Sequence, residues 1–276
     1  MVEISPNSPV GYYRESELEY TRGNWAKAVV STMKAQEVDP DDPELAMLIG
    51  DYFVSMEMLG DAKRWYDRAA EIDPQHPVSR ATPLVLLMVE DADTNAAATL
   101  ARQLLDEGLA NRQNSRVLAL WAIWRDADKH DSNEEALDYL QDHFPLFYED
   151  NPRWHFKDRH YWYVFGSMMS ESSSKARGQN LLAEALRRAD AADAVYGAGL
   201  TGVGVEAVSG NKKKAIEKLR AHASRSRSPD LWPIWLERNP GFASIRDEPE
   251  FVQYLAALRE NAAEQRALLP GLLAAQ

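Results

Sequence analysis

Apolar and small side chains return along this chain at helical spacing, in segments parted by glycine, asparagine, aspartate and proline. The first pair of segments runs from about Pro9 to Val38 and reverses at Gly23-Asn24; Asp39, Pro40 and Pro43 then break it. Asp42-Pro43 has the form of a helix N-cap followed by proline at the first helical position, where the missing N–H had no partner to lose. The second pair carries Ile49, Gly50 and Phe53 on its first helix and Tyr66 and Ala69 on its second, with Gly60 as the turn glycine. The pattern then predicts helices over Pro77 to Val89, Asn95 to Glu107, Ser115 to Asp126 and Glu134 to Phe144. Asn151-Pro152 opens a segment in which Trp162, Phe165, Gly166, Leu182 and Ala185 fit another hairpin, and Gly210-Asn211 with Ala215 repeats the glycine-to-alanine spacing of the first turn. A basic loop from Ser224 to Pro229, a short helix from Trp232 to Arg238 and a closing helix from Pro249 to Leu269 complete an order without strands.

The first two hairpins share a period. The intervals from Ala28 to Ala62, from Ala35 to Ala69 and from Pro40 to Pro74 are equal, and each matches the period of the tetratricopeptide repeat. Short side chains at these places mark where antiparallel helices cross closely. The expected fold is therefore all-α, a tetratricopeptide-like right-handed superhelix or α-solenoid of about six helical hairpins closed by a C-terminal capping helix. One domain is expected over 1–276, with clear repeats over 9–74, degenerate hairpins over 75–150, further repeats over 151–223 and the cap over 224–276. Repeats that contact only their neighbours make an extended surface, which favours binding over chemistry.

The segment from Asn239-Pro240-Gly241-Phe242 through Asp247, Pro249 and Phe251, continuing to Leu255 and Ala263-Glu264-Gln265-Arg266, resembles the closing segment of a bacterial regulator family. Phe144-Pro145-Leu146-Phe147 and Ala183 to Leu186 look like mid-chain features of the same group. In that family the repeats form the C-terminal part of membrane-anchored winged-helix regulators or of class III adenylate cyclases. The resemblance implies a sensing or partner-docking module, in the cytoplasm or, as part of a membrane-anchored regulator, in the periplasm. It implies neither DNA binding nor nucleotide cyclisation for these residues.

Composition narrows the partners. Lys+Arg total 31 against Asp+Glu 43, a formal charge of −12, which argues against nucleic acid because a polyanion needs a basic footprint. Without cysteine there is no disulfide, thiolate metal site or cysteine nucleophile. The longest apolar run, Leu84 to Val89, is far shorter than the roughly 20 residues of a membrane helix, and Met1 to Pro9 has no apolar run like that of a signal peptide. Charge is uneven: residues 1–60 hold eleven acids against four bases, whereas 210–227 hold seven bases against Glu217. That polarity can steer an acidic partner or a second copy, although a charge run is more often a solvated face.

Motifs for chemistry are weak. Gly197, Gly199 and Gly202 form a literal G-x-G-x-x-G with Glu217 twenty residues on, but a dinucleotide loop must follow a strand, and Ala183 to Ala194 reads as helix. Close helix packing is the better account of those glycines. His155 and His160, with Asp158 between them, are five apart and share no helix face as i,i+4 ligands do. Asp39, Asp41 and Asp42 lack the glycine and late glutamate of a calcium loop. No catalytic residue, cofactor or metal ligand is therefore assigned, and the chain is expected not to be an enzyme. Nine aromatics lie between Phe144 and Phe165; they fill an irregular interface or, alternatively, line a pocket for a small ligand. If the first helix of each hairpin lines a concave wall, Tyr13 and Glu17, Met47 and Asp51, and Tyr163 and Ser167 occupy matching places, and their aromatic, apolar and acidic character suits an extended peptide with basic residues.

Overall fold

A computed structural model describes residues 8–90, 93–110, 113–149, 159–196, 199–224 and 232–275. The described residues are helical with no strand, and most helices consecutive in the chain pack as neighbours. The chain divides into two compact units: residues 1–86, 226–234 and 254–276 form the first, and residues 87–225 and 235–253 the second.

In the first unit α1 (Pro9–Thr21) pairs with α2 (Trp25–Val38), and α3 (Pro43–Ser55) with α4 (Leu59–Ile72). Ala26, Ala28, Ala35, Ala62 and Ala69 are fully buried, at the small positions that let the paired helices approach. Asp42 caps α3 as its sequence suggests, with Oδ1 accepting the Glu44 N–H at 2.8 Å. Helix α5 (Pro77–Glu90) follows and crosses the boundary of the units, as does the closing helix α14 (Pro249–Ala274).

The second unit contains α6 (Thr94–Asp106), α7 (Gln113–Lys129), α8 (Asn133–His143), a 3-10 turn at Pro145–Tyr148, α9 (Arg159–Ser170), α10 (Lys175–Tyr196), α11 (Leu200–Val208), α12 (Lys212–Ala223), α13 (Pro233–Arg238, from Trp235 on) and a second 3-10 turn at Pro240–Ile245. Helices α9 and α10 form its tightest pair. Helix α6 packs most closely on α7, through buried Ala97, Ala98 and Ala101 facing a helix that buries Ala119 and Ala122.

One turn recurs. Between α1 and α2, α3 and α4, α7 and α8, and α11 and α12 the connector is three residues long, and its middle residue takes positive φ: Gly23 (81°), Glu57 (56°), Asp131 (52°) and Gly210 (77°). In each case the next N–H reaches back to the helix, as in Asn24 to the Glu19 carbonyl and Asn211 to the Glu206 carbonyl, both 2.9 Å, which satisfies end carbonyls in the manner of a Schellman motif. Asn24 and Asn211 also use their side-chain amides alike, donating to the Glu19 and Glu206 carboxylates at 2.7 and 2.8 Å. The second hairpin turns at Glu57, which lies one repeat period after Gly23; Gly60, the glycine expected there, sits exposed inside α4. A carboxylate side chain in the left-handed region costs about 1 kcal/mol or more, and Glu57 is held there with its carboxylate 3.2 Å from the Arg259 guanidinium.

The aromatic segment is interior. Phe144, Phe147, Tyr161, Trp162, Tyr163 and Phe165 are all buried, and Phe147 stacks on Phe165 with ring centroids 4.5 Å apart. Tyr148 is half-buried and donates to the Leu137 carbonyl at 2.6 Å, while Trp154 and Phe156 lie outside the described residues. Apart from Tyr163, the described rings pack on one another and fill the space between α8, the first 3-10 turn and α9.

Candidate functional site

Helices α1 and α3 present the same pattern at the same phase. Tyr13 and Met47 lie one repeat period apart, as do Glu17 and Asp51, and all four are half-buried, so each hairpin offers one large side chain and one acid four residues on. Beneath them lies a polar seam. Tyr20 stacks on Tyr52 at 4.9 Å, the Tyr20 hydroxyl meets Ser55 Oγ at 3.2 Å, and Ser16 Oγ meets the Tyr52 hydroxyl at 3.4 Å. Ser16 and Tyr52 are buried, and their hydroxyls satisfy one another.

Glu17 is the more accessible acid, its side chain 41% exposed, and it accepts from the Tyr13 hydroxyl at 3.0 Å and from Arg14 at 2.7 Å. Burial and the neighbouring carboxylate raise the Tyr13 hydroxyl above its ordinary pKa, so Tyr13 remains a neutral donor. Asp51 is fixed differently. A Cβ on Gly50 would stand 2.4 Å from the Tyr66 ring, so glycine there lets Tyr66 lie across α3 and donate its hydroxyl to Asp51 Oδ1 at 2.6 Å. Burial pushes the Asp51 carboxyl up from 3.8 to about 7, against the opposing effect of the Tyr66 hydrogen bond. Burial also raises Tyr66, with the Asp51 charge adding to it.

The consequence for stability has a definite sign. Because Asp51 binds its proton more tightly when folded, its contribution is fullest below pH 4 and is lost as the pH rises through about 7. Asp51→Asn keeps an acceptor for Tyr66 and removes the ionisation. It is expected to flatten the pH dependence of urea unfolding over that window and to gain about 1–2 kcal/mol at pH 8, a discounted figure for a half-buried group. An unchanged slope would show that Asp51 ionises freely in the fold.

The third expected pair lies elsewhere. Tyr163 and Ser167 belong to the second unit and are each 3% exposed, so they offer no surface to a partner. Helix α9 is buried on every side from Tyr161 to Met169, and a helix without an exposed face cannot line a groove. Ser167 Oγ is spent on the Tyr163 carbonyl at 2.8 Å. Tyr163 meets Trp124 edge-on at 5.5 Å, and a Cβ on Gly204 or Gly241 would collide with its phenol.

The remaining candidates separate cleanly. Gly199 precedes α11 and the helix buries Gly202 and Gly204; the helix before it, α10, takes the place of the strand a dinucleotide fingerprint follows, and Gly197 lies outside the described residues. His155 and Asp158 also lie outside them, as does the side chain of His160. Among the described residues, no group of three His, Asp or Glu is placed to hold a metal ion, and no helix is long and apolar enough to cross a membrane. Within the basic run, Lys212 pairs with Glu248 at 3.6 Å, and Lys218 and Arg220 pair with Asp190 and Glu250. Sequence reasoning passed over the part of Tyr66 in the site; its one signal was the small residue Gly50 at a crossing point. Compared with family models and with curated proteins, the chain matches none.

Proposed function

We propose that this chain is a non-catalytic protein-interaction or sensory module built from tetratricopeptide-type hairpins, of the kind found in bacterial signalling proteins, and that it holds an extended basic peptide across α1 and α3. The observation that carries this reading is the repetition of Tyr13-Glu17 as Met47-Asp51 on equivalent helices, with large side chains left half-exposed beside acids. An extended peptide meeting equivalent helices can place alternate side chains on Tyr13 and Met47 while its lysines or arginines meet Glu17 and Glu44. The acid excess of residues 1–60 favours the same sign of partner.

The test is fluorescence anisotropy with a set of short labelled basic peptides and their charge-reversed counterparts. Binding is expected for basic members and is expected to weaken as salt rises. Combined Tyr13→Ala, Met47→Ala and Asp51→Asn should lower affinity by roughly tenfold or more while helicity and melting stay near those of the parent. Equal binding of basic and charge-reversed peptides, or an unaltered affinity in the triple variant, would refute it.

A further inference from the structure

In the second unit several residues with buried donors lie next to one another. Helix α7 carries Trp121, Trp124, Arg125 and Asp128 at i, i+3, i+4 and i+7, a single helix face. Trp235 of α13 stacks on Trp121 at 4.9 Å, and Tyr163 of α9 meets Trp124 at 5.5 Å. The Tyr163 hydroxyl lies in the space where a Gly241 side chain would stand, beside Asn239, whose Oδ1 accepts the Gly241 N–H at 2.9 Å and whose carbonyl accepts from Arg246 Nη2 at 3.1 Å. Here Tyr163 Oη, Asn239 Nδ2, Arg246 Nε and the Nε1 atoms of Trp124 and Trp235 are all buried with no hydrogen-bond partner among the described residues. Asn239, Trp124, Trp235 and Tyr163 are at most 3% exposed.

Four of these five atoms can only donate, and the phenol can donate too. Buried polar groups in folded proteins are paired, so donors left over at one place call for an acceptor from outside the chain. A water offers two lone pairs and needs acceptors of its own, which suits a donor-only site poorly. The electrostatics point the same way. Arg125, only 9% exposed, has its pKa lowered first by burial and then by the positive charges of Arg238 and Arg246. Arg125 and Arg238 donate to the successive Met88 and Val89 carbonyls, which hold both guanidiniums in place. Asp128 is the carboxylate that acts on Arg246: burial raises it and Arg246 lowers it, with Asp131 and Glu171 further along the same acidic edge.

We propose that this cluster binds a small oxyanion, a phosphate or a carboxylate, which accepts from Arg246, Asn239 and Tyr163 in the field of Arg125 and Arg238. An oxyanion supplies several acceptor lone pairs, no competing donor, and a negative charge beside three guanidiniums. Asp128 competes with it for Arg246. The site lies apart from the α1 and α3 face and does not depend on the peptide reading.

The experiment titrates the intact chain with inorganic phosphate and, separately, with acetate, against sodium chloride at matched ionic strength, following tryptophan fluorescence and calorimetric heat. Saturable binding of one or both oxyanions is expected, and the pair distinguishes a phosphate site from a carboxylate site. Tyr163→Phe, which removes only the hydroxyl from its glycine-lined slot, should weaken binding roughly fivefold. Arg246→Gln should abolish it, and Asp128→Asn should strengthen it roughly threefold by removing the competing carboxylate. Absence of saturable binding by either anion would overturn the proposal. So would affinities unmoved by both Tyr163→Phe and Asp128→Asn, even where Arg246→Gln fails to fold.

Discussion

Gly178→Ala is expected to destabilise the second unit by about 3 kcal/mol or more. A Cβ at Gly178 would stand 2.2 Å from the Ser170 backbone nitrogen and 2.6 Å from the Met169 carbonyl carbon. These are backbone atoms, so no rotamer change can relieve the contact; α9 and α10 must separate. On the other side of the crossing a Gly166 Cβ would meet the Leu182 side chain at 2.8 Å, where a flexible chain can yield in part. Gly166→Ala should therefore cost less than Gly178→Ala. Alanine is also the better helix former by up to about 1 kcal/mol, so a net loss at Gly178 isolates the steric term. Denaturant unfolding of both variants checks the order, and equal or improved stability of Gly178→Ala would show that the two helices do not cross at backbone contact.

Removing residues 254–276 is expected to unfold the first unit. This part of α14 buries Leu255, Leu258, Ala262 and Leu269, and returning three leucines to water costs about 6 kcal/mol, comparable with the whole stability of an ordinary domain. The loss is also polar and local. Gln265 Oε1 accepts the Ala26 N–H at 3.2 Å, supplying the cap that Asn24 does not give α2. Asn261 donates to the Gly23 carbonyl at 3.1 Å, Arg266 to the Met56 carbonyl, and Arg259 pairs with Glu57. Both equivalent turns of the first two hairpins are thus tied to one distant helix. Hydrogen exchange should show protection lost at the start of α2 and the end of α3, and Gln265→Ala alone should reproduce the α2 part at a cost of about 1 kcal/mol. Undiminished protection in the truncated chain would mean that the two hairpins stand without α14.

Much of the helical order is legible along the chain because it rests on local causes. Asp42-Pro43 caps and starts α3 through bonds two residues long, and Gly23-Asn24 and Gly210-Asn211 make the same turn because the same short stretch closes the same hydrogen bonds. The α3–α4 turn was misplaced at Gly60 because glycine is the usual occupant of left-handed backbone, whereas here Glu57 is held in it by a partner from α14. Periodicity relates Tyr13-Glu17 to Met47-Asp51, one period on, and all four are half-buried because α3 keeps a half-exposed side as α1 does. It failed at Tyr163-Ser167, because α9 is apolar on every face and position within a repeat says nothing of exposure once the surroundings close over it.

The amino-acid sequence by itself determined the helices, the Asp42 cap of α3, most of the reversals and the acid-rich pattern of α1 and α3, all of which follow from interactions within a few residues. Only the tertiary structure decided which of those side chains reach the surface, that Tyr66 would bury and raise Asp51, and that Arg125, Arg238 and Arg246 would share one place. Burial and charge proximity are properties of neighbours brought from distant parts of the chain, and no spacing along the sequence encodes them.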